Sequence, residues 1–372
     1  MFSIFITAKA LADVYLQEKP KSYKEQSEWF HILLKQKEIF TTGYSIPSGD
    51  IIEEDDLSDS GIIAEMASAY NIKFTPSDEY LESVLNDNAK VYDYPNAAFF
   101  LDVTQEVAND IQDKFGVICQ PTNHVDTSVF TEECIRHVFE KNRPVNGGWN
   151  ELLEVQSQIP SNSMCIIDRF LFVYDGSENR NKREELIYNG LDTVMLILNY
   201  ALPEKFSQTY HLTVICDKDH IKNNLDFQAL QKELFKRVNI VAERKGYPIF
   251  SQLIAVDRKQ APYSDKLTHN RQIVSNYHRM GFDNGINAIR LYYGANNSAE
   301  YTQTIQGELL YDTGLKKVNS ECPADTIHIT QKDGNYIFSR WMSQKEEDFG
   351  HFLYADNLGN TSIKNFKNRF FI

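Results

Sequence analysis

Ala97–Pro121 reads AAFFLDVTQEVANDIQDKFGVICQP, and its pattern decides the fold class. Ala97–Val103 opens with an apolar run and is short enough to be a buried strand. Thr104 stands where a helix N-cap belongs, and Val107, Ile111 and Phe115 recur every four residues, forming one apolar helical face. Gly116 sits where helices end in a left-handed residue, and Val117–Cys119 begins another apolar run. A strand, a one-sided helix and a strand in succession predict a crossover unit that joins a parallel pair.

Toward the N-terminus the same alternation is weaker. Phe2–Thr7 reads as a strand that runs into a helix, and a second helical stretch spans 25–36 with Trp29, Phe30, Leu33 and Leu34. Ile39–Thr42 is a short strand candidate before a loop carrying Gly43, Pro47 and Gly49. The acidic run Glu53–Asp56, with Asp59, fits a loop or a helix start, where negative charge is favourable. Arg143–Gly148 (RPVNGG) is the best linker candidate, which predicts an acidic α/β domain over 1–145 and a second α/β domain over 150–372.

Beyond the linker the alternation becomes regular. Met164–Tyr174 reads as a strand, and a helix follows through Leu186, Leu191, Val194, Met195 and Leu198 to a stop at Pro203. His211–Asp217 is the next strand. Phe227, Leu230, Leu234, Val238 and Val241 then mark a helix that stops at Gly246, and Phe250–Val256 is a third strand. THNRQIVSNY (268–277) and Ala288–Tyr293 supply further apolar runs, and short strands over 327–330, 335–339 and 352–354 predict a β-rich tail. The expected architecture is a mixed or parallel sheet with helices on both faces.

Composition narrows the function classes. The 372 residues are 42% hydrophobic, enough for two buried cores. No run of about eighteen apolar residues exists, so no membrane span is expected, and the N-terminal stretch, interrupted by Lys9 and Asp13, does not read as a secretory leader. Five scattered cysteines without a CxxC pair argue against a disulfide framework and a thiolate zinc site. They point to reduced thiols and a cytoplasmic location, and no cofactor is expected. The net charge of −14 is lopsided: residues 1–150 carry 12 Lys and Arg against 25 Asp and Glu. Phosphate-binding surfaces need a basic face, so the acidic front half is not expected to hold nucleic acid, and any such contact is left to the C-terminal half.

The residues Ile166-Ile167-Asp168-Arg169-Phe170-Leu171, two helix–strand steps and then His269-Asn270-Arg271-Gln272-Ile273 carry a family resemblance. This order resembles the phospholipase D-like fold, in particular the C-terminal domain that accompanies microtubule-interacting-and-transport domains. The resemblance covers about a third of the chain. Catalytic members carry His-x-Lys-x4-Asp, in which the imidazole attacks a phosphodiester and the ammonium neutralises phosphoryl charge. Here the motif stands as His269-x-Arg271-x4-Asn276: arginine replaces a point charge with a planar fork, and Asn276 cannot exchange a proton as a carboxylate does. The motif occurs once, so a complete site of that type implies a homodimer. These departures resemble the family's non-catalytic branch, whose relatives include accessory proteins of prokaryotic defence and mobile-element systems.

The resemblance therefore implies a binding protein for a protein partner or an anionic ligand. Its groove would be built from Asp168, Arg169, Arg271 and Asn276 around His269, with the imidazole and Arg271 side by side toward solvent. The alternative is a phosphodiesterase or nuclease. It would work through His269 across a dimer, or through a divalent metal held by front-half carboxylates including Asp102. Each residue also has a plain reading. His269 can simply bond its neighbours, Arg271 can pair with a carboxylate, and Asp168, Asp217 and Asp257 can cap βα turns. Asp102 and Glu53–Asp56 can form a solvated acidic surface.

Overall fold

The computed structural model of the chain describes residues 3–34, 36, 38–42, 58–125, 160–172, 180–221, 224–257, 271–277, 279–282, 286, 319–321 and 352–371. The fold is α/β, and the chain divides into two compact units, Met1–Thr131 and Glu132–Ile372. The linker expected at Arg143–Gly148 lies outside the described residues.

The first unit is built on five parallel strands: β1 (Ser3–Thr7), β2 (Glu38–Thr42), β3 (Lys73–Pro76), β4 (Ala97–Leu101) and β5 (Ile118–Pro121), in the order β3-β2-β1-β4-β5. Chain order reverses between β1 and β4, so helices cover both faces of the sheet. One face packs Phe5, Phe99 and Leu101 against α4 (Asp78–Asn86) and α5 (Gln105–Phe115). There Phe5 stacks between Phe40 and Phe99, with ring centroids 4.7 and 4.9 Å away. Across the sheet lie α1 (Ala8–Glu18), α2 (Glu28–Leu34) and α3 (Asp59–Tyr70), and Trp29 meets Phe100 at 4.2 Å.

The deciding stretch folds as its pattern predicts. Thr104 Oγ1 accepts from the Val107 amide, Gly116 ends α5 at φ +61, and β4 and β5 pair in parallel. One position of the helical face differs. Val107 is exposed, and the buried stripe is Ala108, Ile111 and Phe115. Val107 lies in the first turn, where the helix has just left the sheet edge, so its neighbour one residue on points to the core instead.

The second unit carries a mixed sheet in the order β11-β10-β9-β6-β7-β8-β12. Its strands are β6 (Ser163–Ile167), β7 (Tyr210–Asp217), β8 (Ile249–Val256), β9 (Arg271–Ser275), β10 (Arg279–Phe282), β11 (Asn319–Glu321) and β12 (Phe352–Asp356). β6, β7 and β8 are parallel, linked by α6 (Arg180–Ala201) and α7 (Asn224–Lys245), while β9 and β12 flank them antiparallel. Successive right-handed crossovers in one direction place both long helices on one face, where Arg237 of α7 bonds Asp192 of α6 at 2.5 Å. The other face holds Cys165, Ile167, Ile215 and Ile254 against Ile363 and Phe366 of the C-terminal segment, with its short 3₁₀ turns at Ile363–Asn365 and Arg369–Phe371.

The run 164–174 does not continue as one strand. β6 stops at Ile167, where Asp168 turns the backbone: its Oδ1 accepts from the Phe170 amide and its carbonyl from that of Leu171. An Asx turn offers the chain local hydrogen bonds that compete with the ladder, even inside an apolar run. The expected strands at 288–293, 327–330 and 335–339 lie outside the described residues.

Candidate functional site at the carboxyl end of β6

Antiparallel pairing creates the site. Gln272 stands opposite Ile167, so Arg271, the first residue of β9, comes beside the turn that leaves β6. A strand running the other way would put its opposite end here. The pairing thus brings together residues about a hundred positions apart in sequence.

Asp168 lies at the centre with 1% of its surface exposed. Its Oδ2 accepts from the Ile286 amide at 2.5 Å and its Oδ1 from the Phe170 amide at 2.8 Å. The Arg271 Nε is 3.8 Å from Oδ1. Burial raises the Asp168 carboxyl above the usual aspartate range, against the pull of the two amides and of the Arg271 and Arg169 guanidiniums. The aspartate acts as an organiser of the turn, each of its oxygens accepting a backbone amide.

The cations gather on one ring. The Arg169 guanidinium carbon is 4.4 Å from the centroid of Phe170, and that of Arg271 is 4.9 Å from the same centroid. A ring face attracts guanidinium groups, which lets two like charges share one small region beside the buried Asp168. The Arg169 Nε is buried with no hydrogen-bond partner among the described residues. Planar guanidinium forks bind carboxylate or phosphate oxygens bidentately, so paired forks suit a compact oxyanion. The Arg271 side chain is 15% exposed and turned onto Phe170, a more enclosed position than the solvent-facing one expected.

Asn276 departs from the expectation of a ligand-facing residue. It is fully buried, and its Oδ1 accepts from the Asn162 amide, the Ser163 amide and the Ser163 hydroxyl at 2.9, 2.9 and 3.2 Å. One residue past the end of β9, it lies at the opposite end of the strand from Arg271, beside the start of β6. There it ties strand to strand instead of lining the arginine cluster. His269 lies outside the described residues.

Asp217, at the end of β7, follows its plain reading: it is buried, its Oδ1 accepts from the Asp219 amide, and its own amide bonds the Arg169 carbonyl. In the first unit, Asp102 is exposed just past the end of β4. Asp110 is paired with Lys114 on the solvent side of α5. Among the described residues no group of three or more His, Cys, Asp and Glu gathers as a metal site would require, and Glu53–Asp56 lie outside them. Cys119, Cys165 and Cys216 are free and buried, and no described helix is long and apolar enough to cross a membrane.

Sequence reading missed three contributors. Phe170 is the platform under both guanidiniums, and its adjacency to Arg169 was the available signal. The Ile286 amide reaches Asp168 from 118 residues away, with no local mark. Gly190 is the third: a Cβ there would lie 2.2 Å from the Leu171 carbonyl oxygen, so α6 is pressed onto the turn that holds the site. No protein-family model matches the chain, and no curated protein is significantly similar to it.

Proposed function

We propose that the chain is a non-catalytic binding protein whose second unit, phospholipase D-like in its order of elements, holds a small anionic ligand with Arg169 and Arg271. The single observation that carries this reading is the pair of guanidiniums converging on Phe170, next to the buried Asp168. The order β6, α6, β7, α7, β8, β9 supports the family likeness, and Arg271 opening β9 is consistent with its place in the His269-x-Arg271 motif. A net charge of −14 opposes long polyanions, so a compact oxyanion such as a phosphate group, free or on a protein partner, fits better than a nucleic acid strand. The acidic first unit is then the face available to a protein partner.

Titration calorimetry with inorganic phosphate and pyrophosphate tests the reading. Binding is expected, and the double change Arg169→Ala with Arg271→Ala should weaken it at least about tenfold, the equivalent of losing one charge-assisted bond. Equal affinity in the double variant would remove the arginine site. Turnover of single- or double-stranded DNA, RNA or an aryl phosphodiester, abolished by His269→Ala and resistant to EDTA, would overturn the non-catalytic assignment. Turnover lost in EDTA and restored by magnesium would point to front-half carboxylates instead.

A further inference from the structure

The two faces of the first sheet carry different charge. Residues 78–113, which supply α4 and α5, hold nine Asp and Glu against a single Lys. All nine are exposed except the half-buried Asp113. Residues 1–42, which supply α1 and α2 across the sheet, hold six Lys against five Asp and Glu. The acidity is thus concentrated on the α4–α5 side. An acidic surface by itself only keeps a chain soluble, but this side has a second property.

Apolar side chains stand open among the carboxylates. Tyr94 is 38% exposed, Leu85 of α4 51% and Val107 of α5 38%. The 3₁₀ turn Asn88–Asp93, which ends at Tyr94, contacts both helices, so the three positions belong to one side of the unit. Tyr94 is backed by other rings: its centroid lies 4.9 Å from that of Phe5 and 4.9 Å from that of Tyr80, inclined at 67° and 64°. The Tyr80 hydroxyl donates to the Lys90 carbonyl at 2.8 Å, which anchors this backing. Burial, and then the Asp93 carboxylate, push that hydroxyl above the usual tyrosine range, so Asp93 acts on the same rings. Edge-on packing therefore fixes Tyr94 without covering it.

A fixed aromatic ring next to a carboxylate attracts a cation, whose charge meets the electron-rich face of the ring. The exposed aliphatic residues on the same side favour a partner that brings apolar groups along with its charge. Both demands are met by a segment in which Lys or Arg alternates with apolar residues at helical spacing. We propose that the α4–α5 side of the first unit docks a basic amphipathic segment of a protein partner, with a cation of that segment over Tyr94 beside Asp93. This surface uses no residue of the arginine cluster, and it takes a cation where the arginines take an anion.

Fluorescence anisotropy with the full chain and a labelled peptide of Leu and Arg in amphipathic helical order tests this. Binding is expected at about 50 mM salt and should weaken at about 300 mM, where the charges are screened. Asp93→Lys and Tyr94→Ala should each weaken it roughly fivefold. Asp13→Lys makes the same charge change at an exposed position of α1, across the sheet, and should leave affinity within about twofold. The double change Arg169→Ala with Arg271→Ala should also bind the peptide normally, which separates this surface from the arginine site. Absence of binding at low salt, unchanged affinity in Asp93→Lys or in a folded Tyr94→Ala, or equal weakening by Asp13→Lys would each overturn the proposal. Loss of binding in the arginine double variant would place the peptide on the second unit and overturn it as well. If Tyr94→Ala does not fold, the two lysine variants, both at exposed positions, decide.

Discussion

Gly190→Ala isolates the packing that holds the candidate site. The added Cβ would stand 2.2 Å from the Leu171 carbonyl oxygen and 2.7 Å from Phe172 Cδ1, where ordinary contacts begin near 3.4 Å. Clearing the oxygen requires α6 or the 168–172 turn to move by about 1 Å, and the obstructing atom is backbone, which cannot rotate away. Overpacking of this kind costs about 1–3 kcal/mol, against a gain of about 1 kcal/mol from replacing a mid-helix glycine. A steric cost at the upper end leaves a net loss of about 2 kcal/mol, or roughly 1 M in urea midpoint at an m-value of about 2 kcal/mol/M. The turn carrying Arg169 and Phe170 should shift as well, weakening phosphate binding in calorimetry beyond what stability alone explains. A midpoint that stays put or rises would show that helix propensity dominates and that α6 does not press on the turn.

Two further outcomes test other parts of the fold. Asn276→Ala strands the Asn162 and Ser163 amides beside the Ser163 hydroxyl in a fully buried position, and should cost about 2–4 kcal/mol in chemical denaturation. An effect below about 1 kcal/mol would mean water replaces the side chain. Glu18 is depressed below the ordinary glutamate range: burial works against this, but the Lys21 ammonium and the Ser27 amide, at 2.8 and 2.6 Å, outweigh it. Its folded carboxyl binds fewer protons than the unfolded one, so its contribution is present above the ordinary value and lost as pH falls through the depressed one. Urea midpoints at pH 7 and pH 3 should therefore differ less in Glu18→Gln than in the unaltered chain, and an identical pH dependence in both would refute this role.

Periodicity and punctuation were sufficient for the local elements. Thr104 and Gly116 bracket α5 because capping is decided within one turn of the residue itself. The buried stripe Phe227, Leu230, Leu234, Val238 and Val241 is a property of helical spacing, and the apolar runs at 210–217 and 249–256 can only be satisfied inside a covered sheet. An α/β class follows from such alternation without any knowledge of partners. Strand order, sheet direction and side-chain destination are different in kind, because they depend on which distant segment arrives alongside. Only the antiparallel docking of β9 against β6 sets Arg271 beside Asp168 and carries Asn276 to the far end, where it becomes a strut. Likewise Gly190 reads as an ordinary weak point in a helix until α6 is packed on the 168–172 turn, and His211 as an ordinary strand residue until Lys367 and Arg369 come against it. Local free energies are written in neighbouring residues; the environment of a charge is set by long-range contacts whose identity no short window of sequence contains.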